Sequence, residues 1–124
     1  MVEVVTVDDV TEELQKLVTE KAEALDTLNI AINEHVRLKN KYVTKSNELR
    51  LKPDAIKEAL GLGKAPTEKQ QQAYIDDTLK DLVQDLRISE ENVKSWKREV
   101  DLLDDKISVE KLRVNLFREI RSMK

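Results

Sequence analysis

The feature that most constrains this chain is a seven-residue apolar repeat running from Ile75 to Phe117. Two interleaved series carry it: Ile75, Leu82, Ser89, Trp96, Leu103, Glu110 and Phe117, and Leu79, Leu86, Val93, Val100, Ile107 and Val114. Eleven of these thirteen positions are apolar, so Ser89 and Glu110 stand out as interruptions. The spacing alternates four and three residues. A helix of 3.6 residues per turn makes that one narrow seam of the kind a coiled-coil partner covers. Pro66 precedes Thr67, and Gln70 follows three residues on, so hydroxyl and amide can cap each other's backbone donors. No Pro or Gly follows. The repeat therefore predicts one uninterrupted helix from about residue 67 to 122, roughly 80 Å long at 1.5 Å per residue. Such a helix must find its core in another helix.

The composition agrees. Of 124 residues, 38% are charged and 3% aromatic (Tyr42, Tyr74, Trp96 and Phe117), with two Gly and two Pro. Few turn-formers among abundant Leu, Val, Glu and Lys point to long helices and away from a sheet or an α/β enzyme. The absence of cysteine excludes disulfides and thiolate metal sites. No run of ~18 apolar residues predicts a transmembrane helix. The opening MVEVVTVDD lacks the basic flank and full apolar core of a secretory signal, so a soluble, cytoplasmic protein with no membrane partner is expected.

Taken in order, Val2, Val4 and Val5 form a short β-branched start, read as an arm or a small strand. Thr6 ahead of Asp8 and Asp9 predicts a helix start, with Thr11 ahead of Glu12 and Glu13 as a competing one. A first long helix then runs from about residue 8 to 51. Its expected seam is Leu14, Val18, Lys21, Leu25, Leu28, Ile32, His35, Lys39, Tyr42, Ser46 and Leu49. Seven of those eleven are apolar, and the seam is poorest toward its C-terminal end. Pro53 ends this helix and opens a short one over 53–60, with Gly61 as its left-handed cap. The tip segment spans 53–66. The expected fold is all-α: a single domain forming a long, coiled-coil-like antiparallel helical hairpin with a short tip helix. Leu102, Val109, Leu112, Leu116 and Ile120 form an apolar surplus beside the second seam, which predicts self-association of unspecified number.

Catalysis has little to work with. His35 is the only histidine, it falls in the first seam, and no second histidine or cysteine completes a zinc set. Gly61-Leu62-Gly63-Lys64 lacks the spacing and the Ser/Thr of a phosphate loop. The adjacent acids Asp76–Asp77 and Asp104–Asp105 read as solvated helix faces. Ser89 and Glu110 read as register devices and Trp96 as a core knob. No enzyme activity and no cofactor are expected.

Charge is distributed unevenly behind a net −3. Residues 1–36 carry nine acidic and two basic side chains, residues 37–69 nine basic and four acidic, and residues 70–124 eleven basic and twelve acidic. The central basic run includes Lys39, Lys41, Lys45, Arg50, Lys52 and Lys64, with Tyr42 among them. Clustered cations neutralise phosphates, and a nearby aromatic can stack on an unpaired base. The other reading is an ordinary charged helix surface on a structural coiled-coil adaptor or assembly protein that binds a protein partner. Self-association favours the first, because multiple copies raise the avidity of a weak site.

The layout also resembles a known family. A long helix ends in Asn47-Glu48-Leu49-Arg50, followed by Lys52-Pro53-Asp54 and the turn Gly61-Leu62-Gly63-Lys64-Ala65-Pro66-Thr67-Glu68. A second long helix continues through Trp96 and Val100-Asp101-Leu102-Leu103 to a basic C-terminal stretch. Over residues 25–120 this is similar to the UvsY-like recombination mediators of tailed phages. The resemblance implies an oligomer that binds single-stranded DNA in recombination or repair inside an infected bacterial host. It would help a RecA-type recombinase onto strands covered by a single-strand-binding protein. It further implies that Lys45, Arg50 and Lys52 lie where that family carries cationic DNA contacts. The acidic N-terminal third and the few aromatics near the tip depart from the family pattern.

Overall fold

A computed structural model describes residues 7–123, with side chains from Asp9 onward. The described residues are all-helical, in four helices: α1 (Val7–Arg50), α2 (Pro53–Ala59), α3 (Glu68–Thr78) and α4 (Lys80–Ser122). The expected arm at Val2, Val4 and Val5 and the Thr6 start lie outside the described residues. Thr11 starts nothing, since it lies within α1. The chain divides into two compact units. One holds the described residues up to Ile30 and from Lys94 on; the other is Ala31–Val93.

Local chemistry sets the boundaries in the second unit. Pro53 occupies the first turn of α2, preceded by Lys52 at φ −121° and ψ 61°, outside the helical region. At its far end the Gly61 N–H donates to the Glu58 carbonyl (3.1 Å) and the Leu62 N–H to the Lys57 carbonyl (3.0 Å). That pair of bonds is a Schellman cap, and it requires the positive φ of 65° found at Gly61. The resemblance of 61–64 to a phosphate loop thus reduces to a helix stop. At α3 both capping-box bonds are made: the Gln70 N–H donates to Thr67 Oγ1 (3.2 Å), and the Thr67 N–H donates to Gln70 Oε1 (2.9 Å).

The expectation of one uninterrupted second helix needs correction. The helix breaks at Leu79, which adopts φ −102° and ψ 23°. The Leu79 N–H still reaches the Ile75 carbonyl (2.8 Å), and its own carbonyl accepts from the Val83 N–H (2.9 Å), so the departure is one residue long. Neither Pro nor Gly causes it. On α1, in the stretch beginning at Tyr42, which hydrogen-bonds Asp76 of α3, the buried spacing changes from three-and-four to four, from Tyr42 to Ser46. A straight helix drifts against a strict heptad.

In the first unit, the N-terminal part of α1 packs against the C-terminal part of α4. The chains run in opposite directions: Lys21 of α1 pairs with Asp104 of α4, while Glu13 and Leu17 share a groove with Val109 and Glu110. Val10, Leu17, Ala24 and Leu28 of α1, with Val100, Leu103, Ile107 and Val114 of α4, are buried. The second unit has the same antiparallel pairing between the rest of α1 and α3 with the start of α4. Here Ala31, Leu38, Ile75 and Leu82 are buried, and Ile56 of α2 closes the tip at 1% exposure.

The second seam is as the repeat predicts, since all thirteen positions are buried or half-buried. Eight of the eleven positions of the first seam, Ile32 and Ser46 among them, are buried or half-buried. Leu14, Lys21, Leu28, His35, Tyr42 and Leu49 are buried or half-buried. Their expected companions Val18 and Leu25 are exposed at 50% and 38%, Ile32 is half-buried, and Lys39 is exposed. The true companions are Leu17, Ala24, Ala31 and Leu38, one position earlier. Two of those are alanines, which let helix backbones approach closely while offering little apolar area of their own. The larger residues beside them fall on the flank.

Candidate nucleic-acid interface

The six nominated cations, Lys39, Lys41, Lys45, Arg50, Lys52 and Lys64, all belong to the second unit, and all are exposed. No ion pair among the described residues holds Lys39, Lys41, Lys45, Lys52 or Lys64. Arg50 donates from one terminal nitrogen to Gln72 Oε1, which orients its guanidinium along α3 and leaves other donors unused. The helix does not gather these residues on a single face. Lys39 and Arg50, eleven positions and three turns apart, share one side of α1. Lys41 and Lys45, four apart, share another side that continues back to Arg37.

The two sides differ in electrostatics. Lys39 lines a groove with His35, Tyr42, Leu86, Arg87 and Glu90, where cations outnumber acids. The groove beside Arg37 contains Glu34, Asp85 and Glu91, where acids outnumber cations. Arg37 is itself occupied. Its Nε and one terminal nitrogen donate to the two Glu34 oxygens at 3.0 and 2.6 Å. This bidentate bond holds the Glu34 carboxyl below the usual carboxylate range and the Arg37 guanidinium above its ordinary value. The more cationic surface is therefore the Lys39 side, and Arg87 is its missed member. No signal in the sequence could have found Arg87, because its place beside Lys39 depends on how α4 registers against α1.

Tyr42, expected as a stacking aromatic, has another use. Its hydroxyl donates to Asp76 Oδ1 at 2.7 Å, and Gln72 Nε2 donates to both the Tyr42 hydroxyl (3.0 Å) and Asp76 Oδ1 (2.9 Å). The bond to Asp76, followed by partial burial, pushes the phenol above its ordinary pKa. The adjacent acids are therefore more than solvated faces, since Asp76 bonds Tyr42 and Asp104 bonds Lys21.

His35 and Ser89 meet across the same unit, with Nδ1 and Oγ 2.8 Å apart. The Ser89 hydroxyl also donates to the Leu86 carbonyl at 2.8 Å. A hydroxyl has one proton to give, so when it goes to the Leu86 carbonyl the Ser89 oxygen accepts from His35 Nδ1–H. Glu110, the other polar seam residue, is 8% exposed. Its Oε1 accepts from Arg113 at 3.0 Å, while its buried Oε2 has no partner. Trp96 is half-buried beside Ala24 and Leu103, in a groove rimmed by Glu20, Glu23 and Glu99. That rim repels phosphate.

No protein family, no curated protein and no solved structure matches the chain. Among the described residues, no helix is long and apolar enough to cross a membrane.

Proposed function

We propose that this chain is a self-associating, non-enzymatic accessory protein that binds single-stranded nucleic acid in DNA recombination or repair, as the layout resemblance implies. Its place is the cytoplasm, in an infected bacterial host if the phage resemblance holds. A RecA-type recombinase or a single-strand-binding protein would be its partner. The observation that supports this reading is the set of exposed cations on α1 and the tip that no acid neutralises, with Lys39 and Arg87 sharing one groove. Phosphate neutralisation by such a set is sequence-independent and weakens steeply with salt. The test is fluorescence anisotropy of a labelled single-stranded oligonucleotide at two salt concentrations. Binding that weakens with salt, and that falls on the order of tenfold or more in K45E/R50E/K52E, is the expected result. Unchanged helicity by circular dichroism shows that the variant is folded.

A second reading, a structural coiled-coil adaptor that binds a protein partner, draws on a different observation. Residues 70–93, which face the basic stretch within the same unit, carry six acidic and two basic side chains, and Tyr42 is already hydrogen-bonded. No binding at low salt would overturn the first reading and leave this one.

A further inference from the structure

We infer that His35, when protonated, is a third phosphate-binding cation of the Lys39 and Arg87 groove, so that this chain holds a single strand more tightly as pH falls. The inference rests on the strand-binding reading above and assigns a pH dependence of that binding to one side chain.

His35, Lys39 and Tyr42 follow one another at four and three residues along one side of α1, and Leu86, Arg87 and Glu90 of α4 line the same groove. All of them belong to the second unit. His35 is half-buried, so it is anchored in the seam while it lines the groove. Its Nδ1 lies 2.8 Å from Ser89 Oγ, and that hydroxyl reaches the Leu86 carbonyl at 2.8 Å. Nε2 is the nitrogen left to the groove. Protonation there keeps the seam contact, because the Nδ1–H of an imidazolium still donates to the Ser89 oxygen. The seam therefore does not oppose the added charge.

The neighbouring groups decide what that charge does. On α1 they are Lys39 and the Tyr42 phenol, which its bond to Asp76 keeps neutral; on α4 they are Arg87 and Glu90. From α3, Asp76 reaches Tyr42 but is held there by the phenol and by Gln72. Of these residue types, histidine alone ordinarily titrates near neutral pH. A neutral imidazole leaves two cations and one acid in the groove, whereas an imidazolium makes it three and one. Cations so gathered repel one another until an anion enters, and a backbone phosphate among His35, Lys39 and Arg87 is such an anion. The imidazolium also aims an N–H at a phosphate oxygen, a charge-assisted bond that the neutral ring lacks at an unprotonated Nε2. Proton uptake and strand binding then favour each other by the same factor.

His35 is the only histidine, which makes its protonation measurable without ambiguity. Anisotropy titrations with a labelled oligothymidylate, whose phosphodiesters and bases do not titrate in this range, should show binding roughly fivefold or more tighter at about pH 6 than at about pH 8. The slope of log affinity against log salt should be steeper at the lower pH by about 0.7, the value of one further phosphate contact on a single strand. In His35→Gln, with unchanged helicity by circular dichroism, the ratio between the two pH values should fall to about one. On the unsubstituted chain, proton NMR of the imidazole ring should show the His35 titration moving to higher pH when the oligothymidylate is added. A pH-independent affinity, a ratio retained in folded His35→Gln, or ring signals that the oligonucleotide does not move would each overturn the inference. Binding without pH dependence sinks this inference alone, whereas no binding at either pH sinks the strand-binding reading with it.

Discussion

The two units build the same antiparallel helix pair from different materials. In the first, α1 meets α4 through Leu17, Leu28, Leu103, Ile107 and Val114, and the single charged seam residue of α1, Lys21, reaches out to Asp104. In the second, the pairing is interspersed with directional bonds: His35 to Ser89, and Tyr42 and Gln72 to Asp76. Apolar burial is strong and indifferent to register, whereas a hydrogen bond across a seam is satisfied in one register only. The second unit therefore adds register-specific bonds to an apolar core of its own.

Cavity-forming substitutions should produce the largest effects and test whether the two cores matter equally. Leu103→Ala in the first unit (3% exposed) and Ile75→Ala in the second (0% exposed) should each lower unfolding stability by about 2–5 kcal/mol in chemical denaturation. If the polar network of the second unit dominated instead, Ile75→Ala would cost far less than Leu103→Ala.

The two polar residues of the second seam sharpen the contrast, because one is satisfied and the other is not. Ser89→Ala removes the hydrogen-bond partner of His35 Nδ1 and should cost about 1–2 kcal/mol. Glu110→Leu removes a buried oxygen with no partner and should raise stability by about 1 kcal/mol. Loss of stability in both variants would mean that Glu110 makes an essential bond in the assembled protein.

Alkaline pH separates the units again. The Tyr42 phenol is raised above its ordinary value of about 10 by its bond to Asp76, so the folded state favours the neutral form. Its contribution is fully present below about pH 10 and is lost as pH rises through the higher folded value. Tyr42→Phe should cost about 1 kcal/mol at neutral pH and flatten this alkaline decline. A decline of equal steepness in Tyr42→Phe would assign it to other groups.

Much of the helical architecture was legible in the sequence, and the reason lies in how much each residue type says. Leu, Ile and Val at Leu103, Ile107 and Val114 declare their side unambiguously, and the α4 seam followed directly. On α1 the sequence offers Val18, Leu25 and Ile32 as against Leu17, Ala24 and Ala31, and counting apolar bulk chooses the wrong series. Burial against the partner helix selects the alanines, and that is a property of two helices together. The same limit hid Arg87 and gave Tyr42 a free ring. Which side chain lies opposite which is set by register, and the register of the second unit is fixed by bonds between residues more than thirty positions apart.

The smallest expected effect tests the division of cations between the two sides of α1. Arg37 is exposed and is held by Glu34 on the same helix, so solvent screens the pair and Arg37→Ala should leave unfolding stability unchanged within error. If the Lys39 and Arg87 groove is the strand-binding side, Arg37→Ala should also leave the anisotropy titration unchanged, while Arg87→Ala should weaken it and reduce its salt dependence. Were Arg37→Ala to weaken binding as much as Arg87→Ala, the strand would have to contact both sides of the helix. The Glu34 carboxylate would then be a competitor that phosphate displaces, and Glu34→Gln would be expected to tighten binding.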